Sequence, residues 1–178
     1  MTGSKKRSIA IDMDGVIADT IANFLIWHER ASGIKYERSV FEGKPEAEGL
    51  PGSAVKNYVT SPGFFRSAPV MEGAQEALRK LCKDFDVYIV SAAMEFPQSL
   101  PEKKEWLSEH FPFISWRNIV FCGDKHIINT DFMIDDHLKN LDFFSGKPIL
   151  FSAEHNLGID KYDRVDNWKQ AVELLYSL

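Results

Sequence analysis

Cysteine is scarce in this sequence: Cys82 and Cys122 are the only two. They lie far apart, form no CxxC pair and sit among apolar residues. They therefore read as reduced core thiols, not as a disulfide framework or a zinc cage. No apolar run is long enough to span a bilayer, and the opening MTGSKKR lacks the apolar core of a signal peptide. Positive charge is also in short supply: 21 Lys and Arg stand against 26 Asp and Glu, a net charge of −5. Such a balance argues against a nucleic-acid polymer as partner, although local cations can still hold a small anion. No internal repeat or low-complexity tract is present. These absences predict a cytoplasmic protein without membrane or nucleic-acid attachment.

What is there is ordinary globular material. With 178 residues, 44% apolar and 26% charged, the chain suits one packed domain with room for a small insertion. Short apolar runs bounded by polar residues or Gly occur at 8–12, 86–91 (DVYIVS), 118–122 (NIVFC), 131–135 (DFMID) and 148–151 (PILF), as buried parallel strands should. Helical periodicity lies between them. It covers 19–31, then 74–83 with Ala77, Leu78 and Leu81 on one face. It recurs at 101–110, with Trp106 and Leu107 inward and Ser99 and Pro101 as start signals. The last such segment is 167–178, with Asp166 as its expected cap. Strands alternating with helices predict an α/β fold built on a doubly wound, Rossmann-like parallel sheet. One segment breaks the alternation. From the first helix to Ala74 there is no strand signal, and a structureless loop of that length is improbable, so a small helical cap is expected after the first strand. The predicted division is 1–19 and 73–178 for the core, 20–72 for the cap.

The first strand runs into Asp12-Met13-Asp14-Gly15. Two carboxylates at the end of a buried strand require a neutralising partner. Placed on the predicted sheet, Asp12 and Asp14 follow strand one and Ser91 closes strand two. Lys125 follows strand three, in CGDKH, and Asp135 and Asp136 close strand four, in FMIDDH. All land on the carboxyl edge of the sheet, where open α/β folds bind ligands. The chemistry they suggest is Mg²⁺-dependent phosphoryl transfer through an aspartyl-phosphate. Asp12, Asp135 and Asp136 offer the oxygen ligands a hard cation needs. Asp12 and Asp14 point to the same side of an extended segment, so Asp12 can attack phosphorus while Asp14 serves as acid and then base. Gly15 allows a tight turn that presents backbone N–H groups to phosphate. Ser91 can donate to a phosphate oxygen and Lys125 can neutralise transition-state charge. Singly, each residue has a plain structural reading: a loop DxD, a helix cap, a strand-end serine, a solvated lysine. In this order the set is specific.

That order resembles the haloacid dehalogenase superfamily of phosphatases, with DMDGVIAD, VYIVSAA, GDK and FMIDD standing at its four motifs. Within it the chain is similar to the 5'(3')-deoxyribonucleotidases, the cytosolic type C 5'-nucleotidase family. The likeness extends to GFFRSAPVMEGAQEAL, EKKEWLSEHF, NIVFCGDKHIINTDFMIDD and DNWKQAVELL, and is thin from about Ser32 to Ser61. It implies Asp12 as nucleophile and Mg²⁺ ligand, and Asp14 as acid/base whose backbone carbonyl also meets the metal. Asp136 is implied as the usual carboxylate ligand with Asp135 beside it. Ser91, Ala92, Lys125 and Gly15 make up the implied phosphate-binding set. The implied partner is a small phosphate monoester, a nucleoside monophosphate, and a homodimer is compatible with the family. Two departures bear on substrate choice. Thr20 stands where mammalian members place an aromatic side chain against the base, and no Trp occurs between Trp27 and Trp106. The aromatic candidates left in the cap region are Tyr36, Phe41, Tyr58, Phe64 and Phe65, any of which could equally be cap core. Thr20, Phe64 and Phe65 are taken as the substrate-pocket set. The second motif reads Ser91-Ala92-Ala93, without the second hydroxyl of those members.

Other readings stay open at this point. A phosphatase for a sugar phosphate or other small metabolite would use the same machinery. A phospho-accepting receiver domain shares the acidic pair, Ser/Thr and Lys, but in a different chain order and without the insertion. A dehalogenase would leave Asp14 without a purpose, and a silent binding protein would not need the full set. His126 and His137 flank the site as polar neighbours, and Glu42, Glu46 and Glu48 read as a solvated acidic face of the cap.

Overall fold

The computed structural model describes residues 5–178. Its sheet has six strands in the order β3-β2-β1-β4-β5-β6, all parallel. They are β1 (Arg7–Ile11), β2 (Phe85–Ser91), β3 (Ile119–Phe121), β4 (Phe132–Asp135), β5 (Lys147–Phe151) and β6 (Asp163–Val165). The first five match the expected strands to within a residue. The sixth has no counterpart in the sequence reading, because DRV is short, largely polar and lies at the sheet edge.

The order explains where the site must be. From β1 the chain steps outward to β2 and β3, then returns across β1 to β4 and steps outward the other way. Right-handed crossovers then place the connecting helices on opposite faces. One face carries α3 (Ala74–Asp84), α4 (Ser99–His110) and the C-terminal α6 (Trp168–Ser177); the other carries the short α5 (Leu138–Leu141). Strand residues alternate accordingly: Ile9 and Ile11 join the first core with Leu78, Trp106 and Trp168, while Ala10 joins the second with Val90, Met133 and Leu141. The direction reverses between β1 and β4, and at such a switch point a crevice opens beyond the strand ends. This is the expected doubly wound, Rossmann-like sheet.

Helix faces follow the predicted periodicity: Ala77, Leu78 and Leu81 of α3 and Trp106 and Leu107 of α4 are buried, as are Trp168, Ala171, Val172 and Leu175 of α6. The cap of α6 differs from expectation. Asn167 accepts the Gln170 N–H at 3.0 Å, while Asp166 accepts from Ser152 at 2.6 Å. Asn167 is the residue immediately before the first helical turn, so it is the one in reach of that orphan donor.

Between β1 and α3 the chain leaves and re-enters through one antiparallel bridge, Ala18 with Val70. Asp19 N–H donates to Pro69 O and Met71 N–H to Ile17 O, both at 2.8 Å. The intervening residues form α1 (Thr20–Ser32), α2 (Ala54–Val59) and short helical turns. Asp19 caps α1 by accepting from Ala22 N–H, and Gly33, at φ 73°, ends it. These elements bury a cluster of their own: Ile21, Phe24, Phe41, Leu50, Val55, Val59, Phe64 and Phe65. Phe64 is fully buried and packs 4.8 Å from Phe24 between ring centroids. Both cysteines are free thiols. Among the described residues no helix is long and apolar enough to cross a membrane.

Candidate active site

β1 ends at Ile11, and the next residue, Asp12, is still held to β4 by its N–H on Ile134 O at 2.9 Å. β4 ends at Asp135, so the switch point sets Asp12, Asp135 and Asp136 side by side. One carboxylate oxygen from each lies within 4.8 Å of the others. Lys125, brought in after β3, reaches between them: its Nζ is 2.5 Å from Asp12 Oδ1 and 2.6 Å from Asp135 Oδ2. All four side chains are buried.

Three carboxylates facing one ammonium leave a surplus of negative charge out of water, which is unfavourable without a further cation. The titration behaviour expresses this. Burial pushes the Asp12 carboxyl up to about 7, despite the pull of Lys125 and with the push of Asp135 and Asp14. Asp136 is raised well above the carboxylate range by burial and by the charges of Asp12 and Asp135. Burial alone would lower the Lys125 ammonium, but Asp12 and Asp135 outweigh it and hold it above an ordinary lysine.

The two acidic neighbours at the end of β4 are not equivalent. Asp135 is fully engaged, by Lys125, by the His137 N–H at 2.9 Å and by the Asn140 amide at 2.9 Å and 3.0 Å. Asp136 is 1% exposed, and its Oδ1 has no hydrogen-bond partner at all. A buried carboxylate oxygen left unmatched is what a hard cation with oxygen ligands requires, so the residues fit Mg²⁺.

Asp14 stands across the crevice, partnered by Lys103 of α4, whose Nζ also lies 3.0 Å from Ser91 Oγ. The ammonium sits 4.6 Å above the Phe65 ring. Ser91 and Lys125 thus come together with Asp12 and Asp14 as expected, and Lys103 joins them unannounced. Its signal was present: Ser99, Lys103, Trp106 and Leu107 share the buried face of α4, and a lysine on a buried face demands an acidic partner.

Gly15 makes the expected tight turn, at φ +75°, but does not itself supply the donor. Its own N–H is consumed by Ala18 O at 2.9 Å, so it offers no donor to a phosphate. Its role is steric. At φ +75° a side chain is strained, and a Cβ would stand 2.3 Å from Asp136 Oδ2. Gly15→Ala is expected to lower Tm by about 4 °C or more, from ~1–2 kcal/mol of backbone strain plus the clash. An unchanged melting curve would show that the turn and Asp136 yield freely.

A cavity of about 400 Å³ opens above these groups. Its floor holds Asp12, Asp14, Ala92, Lys103 and Lys125, and its apolar wall is Phe24, Val55, Val59, Phe65 and Phe96. Thr20 and Phe65 line it as expected; Phe64 does not, being turned into the core of the inserted helices. Phe96, unannounced by the sequence, lies 6.1 Å from Phe65 between ring centroids. Glu46 is a second correction. Glu42 and Glu48 are exposed, but Glu46 faces the cavity, where burial and the charges of Asp14 and Asp12 push its carboxyl up to about 7. His126 is exposed beside Asp124, whereas His137 lines the cavity.

The family model described as "5' nucleotidase, deoxy (Pyrimidine), cytosolic type C protein" matches residues 6–177. The chain belongs to this type C nucleotidase family. A putative 5'(3')-deoxyribonucleotidase of Staphylococcus aureus is 42% identical over 170 residues, covering 92% of each chain. A 5'(3')-deoxyribonucleotidase of Bacillus subtilis is 36% identical over 174 residues, covering 93% of this chain and 96% of the relative. Among solved structures, a haloacid dehalogenase-family hydrolase from Deinococcus radiodurans, with bound phosphate and sodium, aligns with a TM-score of 0.63. It is 12% identical and covers 97% of this chain and 96% of that one. At that identity the likeness concerns the fold alone. The type C nucleotidase chain therefore carries a haloacid dehalogenase-type sheet.

Proposed function

We propose that this type C nucleotidase is a phosphoric monoester hydrolase that removes phosphate from deoxynucleoside monophosphates by way of a phosphoryl group carried on Asp12. The observation that carries the reading is the convergence of two buried lysines, Lys103 and Lys125, and two carboxylates, Asp12 and Asp14, on one floor beneath an apolar cavity. Buried ammonium groups aimed into a crevice suit a dianionic phosphate, and the names of the relatives supply the substrate class.

Asp12 attacks phosphorus, the ester P–O bond breaks, and Asp14 gives its proton to the departing sugar oxygen. Water then attacks the acyl phosphate, Asp14 takes the water's proton, and inorganic phosphate leaves with Asp12 restored. An arriving dianion competes with Asp14 for Lys103, which frees Asp14 to hold the proton it must deliver. Lys103, Lys125 and the Ser91 hydroxyl meet the charge spread over the transferring oxygens. Mg²⁺ held by Asp12, Asp136 and the Asp14 carbonyl would supply the remaining positive charge. Asp135 serves as the support that fixes Lys125. Residues 20–72 act as a cap over the cavity, excluding water during transfer.

The Phe65 and Phe96 rings favour a nucleotide over a sugar phosphate, because a flat base gains from an aromatic wall that a sugar does not use. Phosphate release from deoxy- and ribonucleoside 5'- and 3'-monophosphates, sugar phosphates and p-nitrophenyl phosphate, with Mg²⁺ and with chelator, tests this. Mg²⁺-dependent turnover strongest on deoxynucleotides supports it; turnover confined to sugar phosphates would contradict it.

Two variants separate the roles. Lys103→Met is expected to lower kcat/KM by about 10²–10³-fold, the scale of one lost transition-state donor; kinetics within threefold of wild type would remove Lys103 from the site. Mg²⁺ at a hundred times its Kd should stabilise the wild type by about 2.7 kcal/mol, several degrees in Tm. Asp136→Asn should abolish that shift, and an undiminished shift would place the ion elsewhere.

A further inference from the structure

Asp136 borders a second group of ligating side chains that the proposed hydrolysis does not use. His137 follows it directly, His155 lies in the turn after β5, and Glu46 reaches across from the inserted segment. Each of the four offers a ligand atom, all within 4.8 Å of one another. The two imidazole rings are stacked, 4.3 Å between centroids and 18° apart.

The two ring nitrogens of His155 are in different situations, one engaged beside Asp136 and one unmatched. One ring nitrogen, Nε2, is 3.0 Å from the Asp136 carbonyl oxygen. A carbonyl only accepts, so this nitrogen carries the proton and the other keeps a bare lone pair. That other atom, Nδ1, is buried and has no partner. Ligating histidines characteristically donate one N–H to a backbone carbonyl and turn the remaining lone pair to the metal. A plain packing role leaves the buried lone pair unmatched, which is unfavourable. Among the described residues only three buried side-chain atoms lack a partner, and Asp136 Oδ1 and His155 Nδ1 are two of them. Mg²⁺ answers the first. It does not answer the second, since a hard cation takes oxygen.

We propose that Glu46, His137 and His155, with Asp136 shared at the seam, form a second metal site that takes a borderline divalent transition ion, of which Zn²⁺ and Co²⁺ are the type. Two imidazoles and a carboxylate are a donor set for such ions. A tetrahedral site with ~2.0–2.1 Å bonds sets its ligand atoms roughly 3.4 Å apart, and these four lie within 4.8 Å of one another. Because Glu46 belongs to the inserted helices and both histidines to the sheet edge, an ion here ties the insertion down beside the cavity.

The test is a Co²⁺ titration of the untagged full chain at saturating Mg²⁺, followed by visible absorption and by equilibrium dialysis. One Co²⁺ per chain is expected, with the spectrum of a nitrogen-containing site. His155→Gln and Glu46→Gln should each weaken Co²⁺ binding at least about tenfold while keeping the Mg²⁺-induced rise in Tm, which shows that the fold and the first site survive. Failure of the wild type to retain Co²⁺ against Mg²⁺ would overturn the proposal. So would equal Co²⁺ binding by both variants. If His155→Gln loses its fold, Glu46→Gln, on the inserted segment, decides the question alone.

Discussion

Asp12→Asn is expected to lose turnover by about 10⁴–10⁶-fold, the scale seen when a covalent nucleophile is removed, while the protein remains folded. The amide is nearly isosteric but cannot form the acyl phosphate. Folding should not suffer, because the substitution removes one negative charge from a buried group that already carries too many, and Lys125 keeps Asp135 at 2.6 Å. In the absence of Mg²⁺ the variant should melt no lower than wild type. Kinetics and a melting curve measured on the same preparation check both halves. Turnover near wild type would remove Asp12 as nucleophile, and a collapsed fold would show that its role is structural.

Asp14→Asn is expected to cost about 10²–10⁴-fold on a nucleotide, as for a lost general acid and base. The size of the loss should depend on the leaving group. A deoxynucleoside leaves as an alkoxide that needs a proton, whereas p-nitrophenolate leaves without one. The first step should then be nearly intact on p-nitrophenyl phosphate, with hydrolysis of the phosphoenzyme limiting turnover, visible as a burst of p-nitrophenol of about one per active site. An equal loss on both substrates with no burst would reassign the proton transfers. Because Lys103 is bound to Asp14, the Asn variant also leaves that ammonium to Ser91 and the phosphate alone, so a tighter KM is expected beside the lower kcat.

The strands and the catalytic floor were legible because both rest on short, local signals. Buried parallel strands such as SIAI and FMID are continuous apolar runs, and their polar ends locate the sheet edge by themselves. Lys103 was obscured by its neighbour Lys104: only the helical phase, with Trp106 and Leu107 inward, marks one of the pair as buried. Glu46 lies in a single helical turn, Glu46–Glu48, too short for any periodicity to show which way it faces. Phe64 and Phe65 are adjacent, and the sequence does not say which turns to the core and which to the cavity. Their near-perpendicular packing, 87° between rings, is set by Phe24 and Trp27, which are distant in the chain. Asn167 and Asp166 are both good caps, and a one-residue shift in the start of α6 decides between them. In each case the missing information was tertiary: which side chain of a chemically similar pair meets a partner from another element.

The central claim is the covalent one, and acid quenching of a radiolabelled deoxynucleotide reaction in its steady state measures it most directly. Label should be trapped on the protein, be released by mild base as an acyl phosphate is, and map by borohydride reduction and peptide mass to Asp12. Trapped label should vanish in Asp12→Asn and accumulate in Asp14→Asn with p-nitrophenyl phosphate as donor. Steady turnover with no protein-bound label in Asp14→Asn, or label at any other residue, would contradict the account.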